Sequence, residues 1–173
     1  MDADRLARLL DRIGPAIMVT HSASGPDGWL VADRRPDLVK AIVSIEPMGP
    51  PVRPYGRLLT TGMGGDSGAR HLRPAARHAQ EVRAADGASL RMPALAGLPV
   101  TGKASLFVKL APALVKFLVT AGAAAEQLRL PDHGVRGKGH GHGLIYEKNS
   151  DQALEPILCW LTAHAGGERT DQD

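Results

Sequence analysis

The stretch AIMVTHSASGPDGWLVADRRPDLVKAIVSIE, residues 16–46, decides the fold. Ala16 to Thr20 is a short, almost wholly apolar run, the pattern of a strand buried on both faces of a parallel sheet. The tight segment His21-Ser22-Ala23-Ser24-Gly25 follows. A helix is expected around Trp29 to Arg34, stopped by Pro36, because a proline drives the residue before it out of the helical region. Val39 to Ile45 (VKAIVSI) is rich in β-branched residues and reads as a second strand. Strand, turn, helix, strand is the βαβ order. It predicts a parallel pair with a right-handed crossover, and so an α/β protein with a mostly parallel sheet flanked by helices.

Working outward, Leu6, Leu9, Leu10 and Ile13 make an apolar stripe at helical spacing, with Asp2 and Asp4 at its start and Gly14-Pro15 at its end. Downstream of Glu46, residues 47–94 are rich in proline and glycine at first and weakly patterned later, and read as an irregular cap or excursion. Leu95 to Val100 is a weak strand. Ser105 to Gly122 carries a helical stripe through Phe107, Leu110, Leu114 and Leu118, and Pro112 should kink or restart that helix. Glu126 to Leu130 alternates and reads as a further strand. A loop full of glycine and histidine spans Pro131 to Gly143. The last helix, expected after Ser150 as N-cap, carries Leu154, Ile157, Leu158 and Leu161, with Pro156 in its first turn or at a kink. Residues 1–166 thus read as one domain, and 167–173 as a disordered polar tail.

Composition narrows the function. The chain has 173 residues, enough to bury one core. Its net charge of +3 is spread along the chain, and aromatics make up only 3%, so neither a basic footprint nor a base-stacking surface points to nucleic acid. The single cysteine, Cys159, excludes an intramolecular disulfide. No apolar run approaches the roughly 18 residues of a membrane helix, and no membrane partner is expected. The N-terminus, MDADRLARLL, lacks a basic region followed by an apolar stretch, so a cytoplasmic location is expected.

Three features carry chemistry. Ser22 stands at the end of a strand, between small residues, at the head of a helix, which is the layout of a nucleophile elbow. The sharp turn pushes the hydroxyl out of the sheet, and the N–H of the next residue, Ala23, is placed to donate to an oxyanion. The usual G-x-S-x-G pattern is not met, since Thr20 and Ser24 replace the glycines, and a serine-rich turn capping a helix would look the same. Glu46 closes the strand VKAIVSI. In an open parallel sheet the carboxyl ends of strands line the active-site crevice, so an acid there can orient a histidine. The loop from His133 to His142 supplies that histidine late in the chain, in the order serine, acid, histidine. The rival use of this loop is metal binding through His140, His142 and His133, but further ligands are not evident. No metal and no cofactor are expected.

The stretch THSASGPDGWLVADRRPDLVKAIVSIEPMGPP resembles α/β-hydrolases of the bacterial and fungal "esterase 713" type. The resemblance covers most of residues 5 to 162 and is weakest between 57 and 94. It implies a Ser–Glu–His triad: the nucleophile in a T/G-H-S-x-S-G segment, here Thr20 to Gly25; the acid in K-A-I-V-x-x-E-P, here Glu46; and the histidine in a G-N-G-H segment leading to E-K-N, here within Gly137 to Asn149. Because two Gly-His pairs stand in that segment, counting from the N-terminal side selects His140, and counting back from Glu147-Lys148-Asn149 selects His142. His142 is preferred, since the following helix fixes the loop end.

The resemblance also implies several strands before the nucleophile strand, whereas this chain starts one helix before it. A partial α/β-hydrolase fold with its early strands missing is therefore expected. The second oxyanion donor would be missing too, and the nucleophile strand would be an exposed edge open to pairing, including with a second copy of the chain. The leading expectation is a serine hydrolase that cleaves small-molecule carboxylic esters through an acyl-enzyme. The alternatives are a catalytically inactive remnant or binding subunit, and a metal-binding protein built on the histidine loop.

Overall fold

The computed structural model describes residues 3–48, 95–135 and 140–165. Its element order is α1 (Ala3–Ile13), β1 (Ala16–His21), α2 (Gly25–Arg34), β2 (Val39–Ile45), β3 (Ala96–Thr101), α3 (Ala111–Thr120), β4 (Ala124–Ala125), β5 (Leu128–Arg129) and α4 (Ser150–His164). The sheet runs β1-β2-β3-β4, with β5 also paired to β3, and every pairing is parallel. The cap segment read between 47 and 94 lies outside the described residues except for Pro47 and Met48, and so does the tail.

β2 is the strand that its sequence announces. Every residue but Lys40 is buried, because helices cover both faces. Ile42 joins Trp29, Val31, Leu114 and Leu118 on one side, while Val43 and Ile45 join Leu98, Val100, Leu128, Ile157 and Trp160 on the other. This is the two-residue alternation of a strand, serving two cores instead of one core and solvent.

β1 departs from the expectation of burial on both faces. Among the described residues it pairs only with β2, and Ile17 and Val19 are 39% and 62% exposed. Its apolar run is that of an interior strand placed at an edge.

Other elements differ in register or extent. The buried face of α1 is Ala3, Ala7 and Leu10, whereas Leu9 and Ile13 are exposed. α1 packs on α2, and salt bridges join Arg34 to Asp4 (2.8 Å) and Arg35 to Asp11 (2.6 Å). The hydrogen bond from Arg35 is the chief cause that holds the Asp11 carboxyl below its ordinary range. Gly14 ends α1 in the left-handed region (φ 84°), and its N–H bonds to the Leu10 carbonyl.

The helix expected from Ser105 begins only at Ala111, with Pro112 in its first turn. A proline lacks a donor that the first turn does not need, so the helix restarts there instead of kinking. The strand expected over 126–130 is reduced to Leu128–Arg129, and a separate two-residue strand, Ala124–Ala125, precedes it. α4 runs through Pro156 from Ser150, with Asn149 and not Ser150 at the N-cap. It buries Ala153, Ile157 and Trp160 and leaves Leu154 and Leu158 exposed. No helix among the described residues is long and apolar enough to cross a membrane.

Candidate active site

The register of the sheet builds the site. Thr20 lies opposite Ser44 and His21 opposite Ile45, while Ile45 lies opposite Val100. Ser22, Glu46 and Gly102 therefore follow the carboxyl ends of three successive parallel strands, where a crevice forms in such sheets.

The turn at Ser22 is sharp. Ser22 has φ 57°, a left-handed conformation that a non-glycine residue adopts at a cost of about 1–3 kcal/mol. Among the described residues, three non-glycines have positive φ: Ser22, Glu46 and His140. All three belong to this site. The turn is held from both sides: Met48 N–H donates to the Ser22 carbonyl at 3.1 Å, as does the N–H of Gly25. Ser24 accepts the His21 N–H (3.2 Å) and donates its hydroxyl to the His21 carbonyl (2.8 Å).

These contacts explain the departures from G-x-S-x-G. Ser24 stands where glycine is usual and closes the turn with its own side chain. Thr20 stands at the other glycine position and bonds its hydroxyl to Ser44 at 2.9 Å. Its methyl fits because α2 carries glycine opposite: a Cβ on Gly28 would lie 3.2 Å from Thr20 Cγ2. Gly25 has the same role against Pro47, whose Cβ would stand 2.7 Å from an added Cβ.

Ser22 Oγ lies 2.6 Å from His142 Nε2. On the far side of that ring, His142 Nδ1 lies 3.8 Å from Glu46 Oε2, longer than a hydrogen bond. Glu46 is fully buried. Its carboxylate accepts the Gly102 N–H on Oε1 (2.7 Å) and the Ser105 hydroxyl on Oε2, and its own N–H donates to the Val100 carbonyl (2.9 Å). Ala23, the residue after Ser22, is exposed in the short helical turn Ser22–Ser24. Amides in a first turn lack an intrahelical acceptor, which leaves them available to an oxyanion. A hydroxyl on an imidazole with a carboxylate behind it can become a nucleophile at neutral pH.

The two histidines of the Gly-His repeat go to different places. His142 faces Ser22. His140 is fully buried, with Nε2 at 2.9 Å from Asn149 Nδ2. Its backbone N–H and that of Gly141 donate to the two oxygens of Glu147, at 2.7 and 3.0 Å. Those bonds, the one from His140 foremost, hold the Glu147 carboxyl below its ordinary range. The metal alternative needed His140, His142 and His133 together. Among the described residues no group of three metal-ligating side chains is assembled.

Four contributors had escaped the sequence reading. His21 donates from Nε2 to the His142 carbonyl (2.8 Å) and stacks on its ring, with centroids 5.1 Å apart. The Phe107 ring is tilted against the His142 ring, with centroids 5.0 Å apart. Gly102 and Ser105 hold Glu46. The signal that could have found the last two is position: both stand just past the carboxyl end of the strand beside that of Glu46.

No family model matches the sequence. Among curated proteins, the chain is 33% identical over 174 residues to "Probable secreted lipase phiG" of Fungal sp. (strain ATCC 74256), covering 88% of this chain and 47% of that protein. The chain thus spans about half the length of this curated relative. Among solved structures it is similar to a novel bacterial esterase, with TM-score 0.60 and 21% identity over 94% of this chain and 42% of that one. It is also similar to esterase B from Lactobacillus rhamnosis (TM-score 0.56, 13% identity, 93% and 60% covered). A third likeness is to MGS-MChE2, an α/β hydrolase from a lagoon-sediment metagenome of Mar Chica, Morocco (TM-score 0.54, 17% identity, 93% and 68% covered). At such identities the likeness shows the fold alone.

Proposed function

We propose, for a chain that belongs by its fold to the α/β-hydrolase superfamily, that it carries a serine-esterase triad of Ser22, His142 and Glu46 acting on carboxylic esters through an acyl-enzyme. The observation that carries this reading is the 2.6 Å contact between Ser22 Oγ and His142 Nε2 at a left-handed turn. The names of the similar proteins, esterases and a lipase, support the choice of esters as substrates.

In the first half-reaction, Ser22 Oγ attacks the ester carbonyl carbon while His142 Nε2 takes the hydroxyl proton. Negative charge gathers on the carbonyl oxygen, where the Ala23 N–H donates to it. The tetrahedral species then collapses. The carbon–oxygen bond to the alcohol breaks, and His142 returns its proton to the leaving oxygen. Water repeats the sequence on the acyl group, with His142 again taking the proton, and the acid is released. Glu46 orients the imidazole and stabilises its cationic form.

The test is pre-steady-state hydrolysis of a p-nitrophenyl ester. A burst of nitrophenolate stoichiometric with protein is expected, and it should be absent from Ser22→Ala. Equal turnover in wild type and Ser22→Ala would overturn the reading.

A second reading, a fold kept without turnover, is favoured by one observation: the exposed apolar edge of β1, at Ile17 and Val19. It predicts no burst from this chain, and association with a partner that adds a strand to β1.

A further inference from the structure

We propose that Ser105 is a positioning residue that sets the Glu46 carboxylate for His142, an inference that rests on the triad reading above. A fully buried carboxylate must find donors within the protein. Among the described residues, both donors to the Glu46 carboxylate come from one short segment after β3: the backbone N–H of Gly102 on Oε1 and the Ser105 hydroxyl on Oε2. A third bond fixes the direction of the second. Ser105 Oγ accepts the Phe107 N–H at 2.9 Å. A serine hydroxyl has one proton, and an ionised carboxylate can only accept, so that proton is committed to Glu46.

The oxygen so held is the one that matters. Oε2 is the Glu46 oxygen that faces His142 Nδ1, at 3.8 Å, and Nδ1 is buried with no hydrogen-bond partner among the described residues. Such contacts tighten as a reaction proceeds, and the carboxylate can close on Nδ1 only from the orientation its other bonds allow. Oε1 is anchored to backbone. Ser105 decides where Oε2 sits about that anchor. The same segment reaches the imidazole directly, since the ring of Phe107, whose N–H locks Ser105, contacts the His142 ring at a tilt. Residues 102–107 thus fix the acid through two donors and the base through a ring.

The experiment follows acylation of Ser22 by a fluorophosphonate in this chain, by mass spectrometry, as a function of reagent concentration. Wild type, Ser105→Ala and Ser105→Thr are compared, with thermal melting alongside. Ser105→Ala is expected to lower the limiting acylation rate about 10- to 100-fold, as a small misplacement of a catalytic group does. The half-saturating concentration should stay unchanged, and Ser105→Thr, which keeps the hydroxyl, should recover most of the rate. Where Ser105→Ala does not fold, Ser105→Cys, a weak donor of similar shape, replaces it. A folded Ala or Cys variant that acylates at the wild-type limiting rate overturns the positioning role. So does a Thr variant that melts like wild type yet is as slow as Ala. Wild type left unmodified at Ser22 removes the triad reading, and this role with it; wild type modified with Ser105→Ala unchanged removes this role alone.

Discussion

Gly102 and His140 meet backbone to backbone: a Cβ built on Gly102 would stand 1.7 Å from the His140 carbonyl oxygen and 2.5 Å from its carbon. The end of β3 and the histidine loop at His140 therefore close on each other with no room for a side chain. The Ala104 N–H, two residues on, donates to the same carbonyl at 3.2 Å. Both partners serve the site, since Gly102 donates to Glu46 and His140 leads to His142. Gly102→Ala must push the two segments apart. It is expected to destabilise the chain by about 1–3 kcal/mol or more, the usual cost of overpacking, and to slow Ser22 acylation by displacing Glu46 and His142 together. Urea denaturation and fluorophosphonate labelling measure the two effects. A Gly102→Ala chain with wild-type stability and labelling would show that this approach is not as close as described.

Glu147 anchors the histidine loop by a pH-dependent device. It accepts the N–H groups of His140 and Gly141, and those bonds lower its carboxyl from the ordinary value of 4.5. A carboxyl lowered on folding adds stability that is fully present above that ordinary value and is lost as pH falls through the folded one. Glu147→Gln offers one acceptor oxygen instead of two, and should cost about 1 kcal/mol at pH 7. The difference between wild type and variant should shrink toward zero as pH falls below 4.5. Urea midpoints at neutral and acid pH decide it. A difference that does not narrow as pH falls below 4.5 would contradict the assignment.

His21 links the nucleophile strand to the histidine loop by a hydrogen bond to the His142 carbonyl and by stacking. His21→Phe keeps a ring but removes the donor. The variant is expected to fold, and to acylate at Ser22 roughly 10-fold more slowly, because the loop carrying His142 loses a tether. His21→Gln, which retains a donor, should lie between the two. Acylation rates compared at equal folded fraction check this, and a Phe variant at the wild-type rate would assign the bond no part in holding the loop.

Much of this was legible in the sequence, and the exceptions have physical reasons. Val39 to Ile45 reads correctly because both of its faces are covered, so local hydrophobicity reports burial directly. The same kind of run at Ala16 to Thr20 misleads, since an apolar strand does not say whether a neighbour is present on each side. In α1 the expected stripe followed the large residues, but the buried face is Ala3, Ala7 and Leu10. Ser22, Glu46 and the histidine loop could be named because each has a local signature at a strand end. Gly102 and Ser105 also stand past a strand end, but no local residue pattern marks them as donors to a carboxylate. They matter only through contacts with a residue 56 and 59 positions away. The His140–His142 ambiguity lay beyond spacing as well. It is the contacts of each imidazole, His140 with Asn149 and His142 with Ser22, that separate the two.

The central claim is that His142 activates Ser22. Fluorophosphonate labelling of this chain, with the adduct mapped by mass spectrometry, tests it most directly when wild type, His142→Ala and His140→Ala are compared at equal folded fraction. The account predicts an adduct on Ser22 in wild type, a rate lower by at least about 1000-fold in His142→Ala, and a far smaller loss in His140→Ala, whose main effect should be on stability. Ser22 left unmodified in wild type, or labelled as fast in His142→Ala as in wild type, would contradict it.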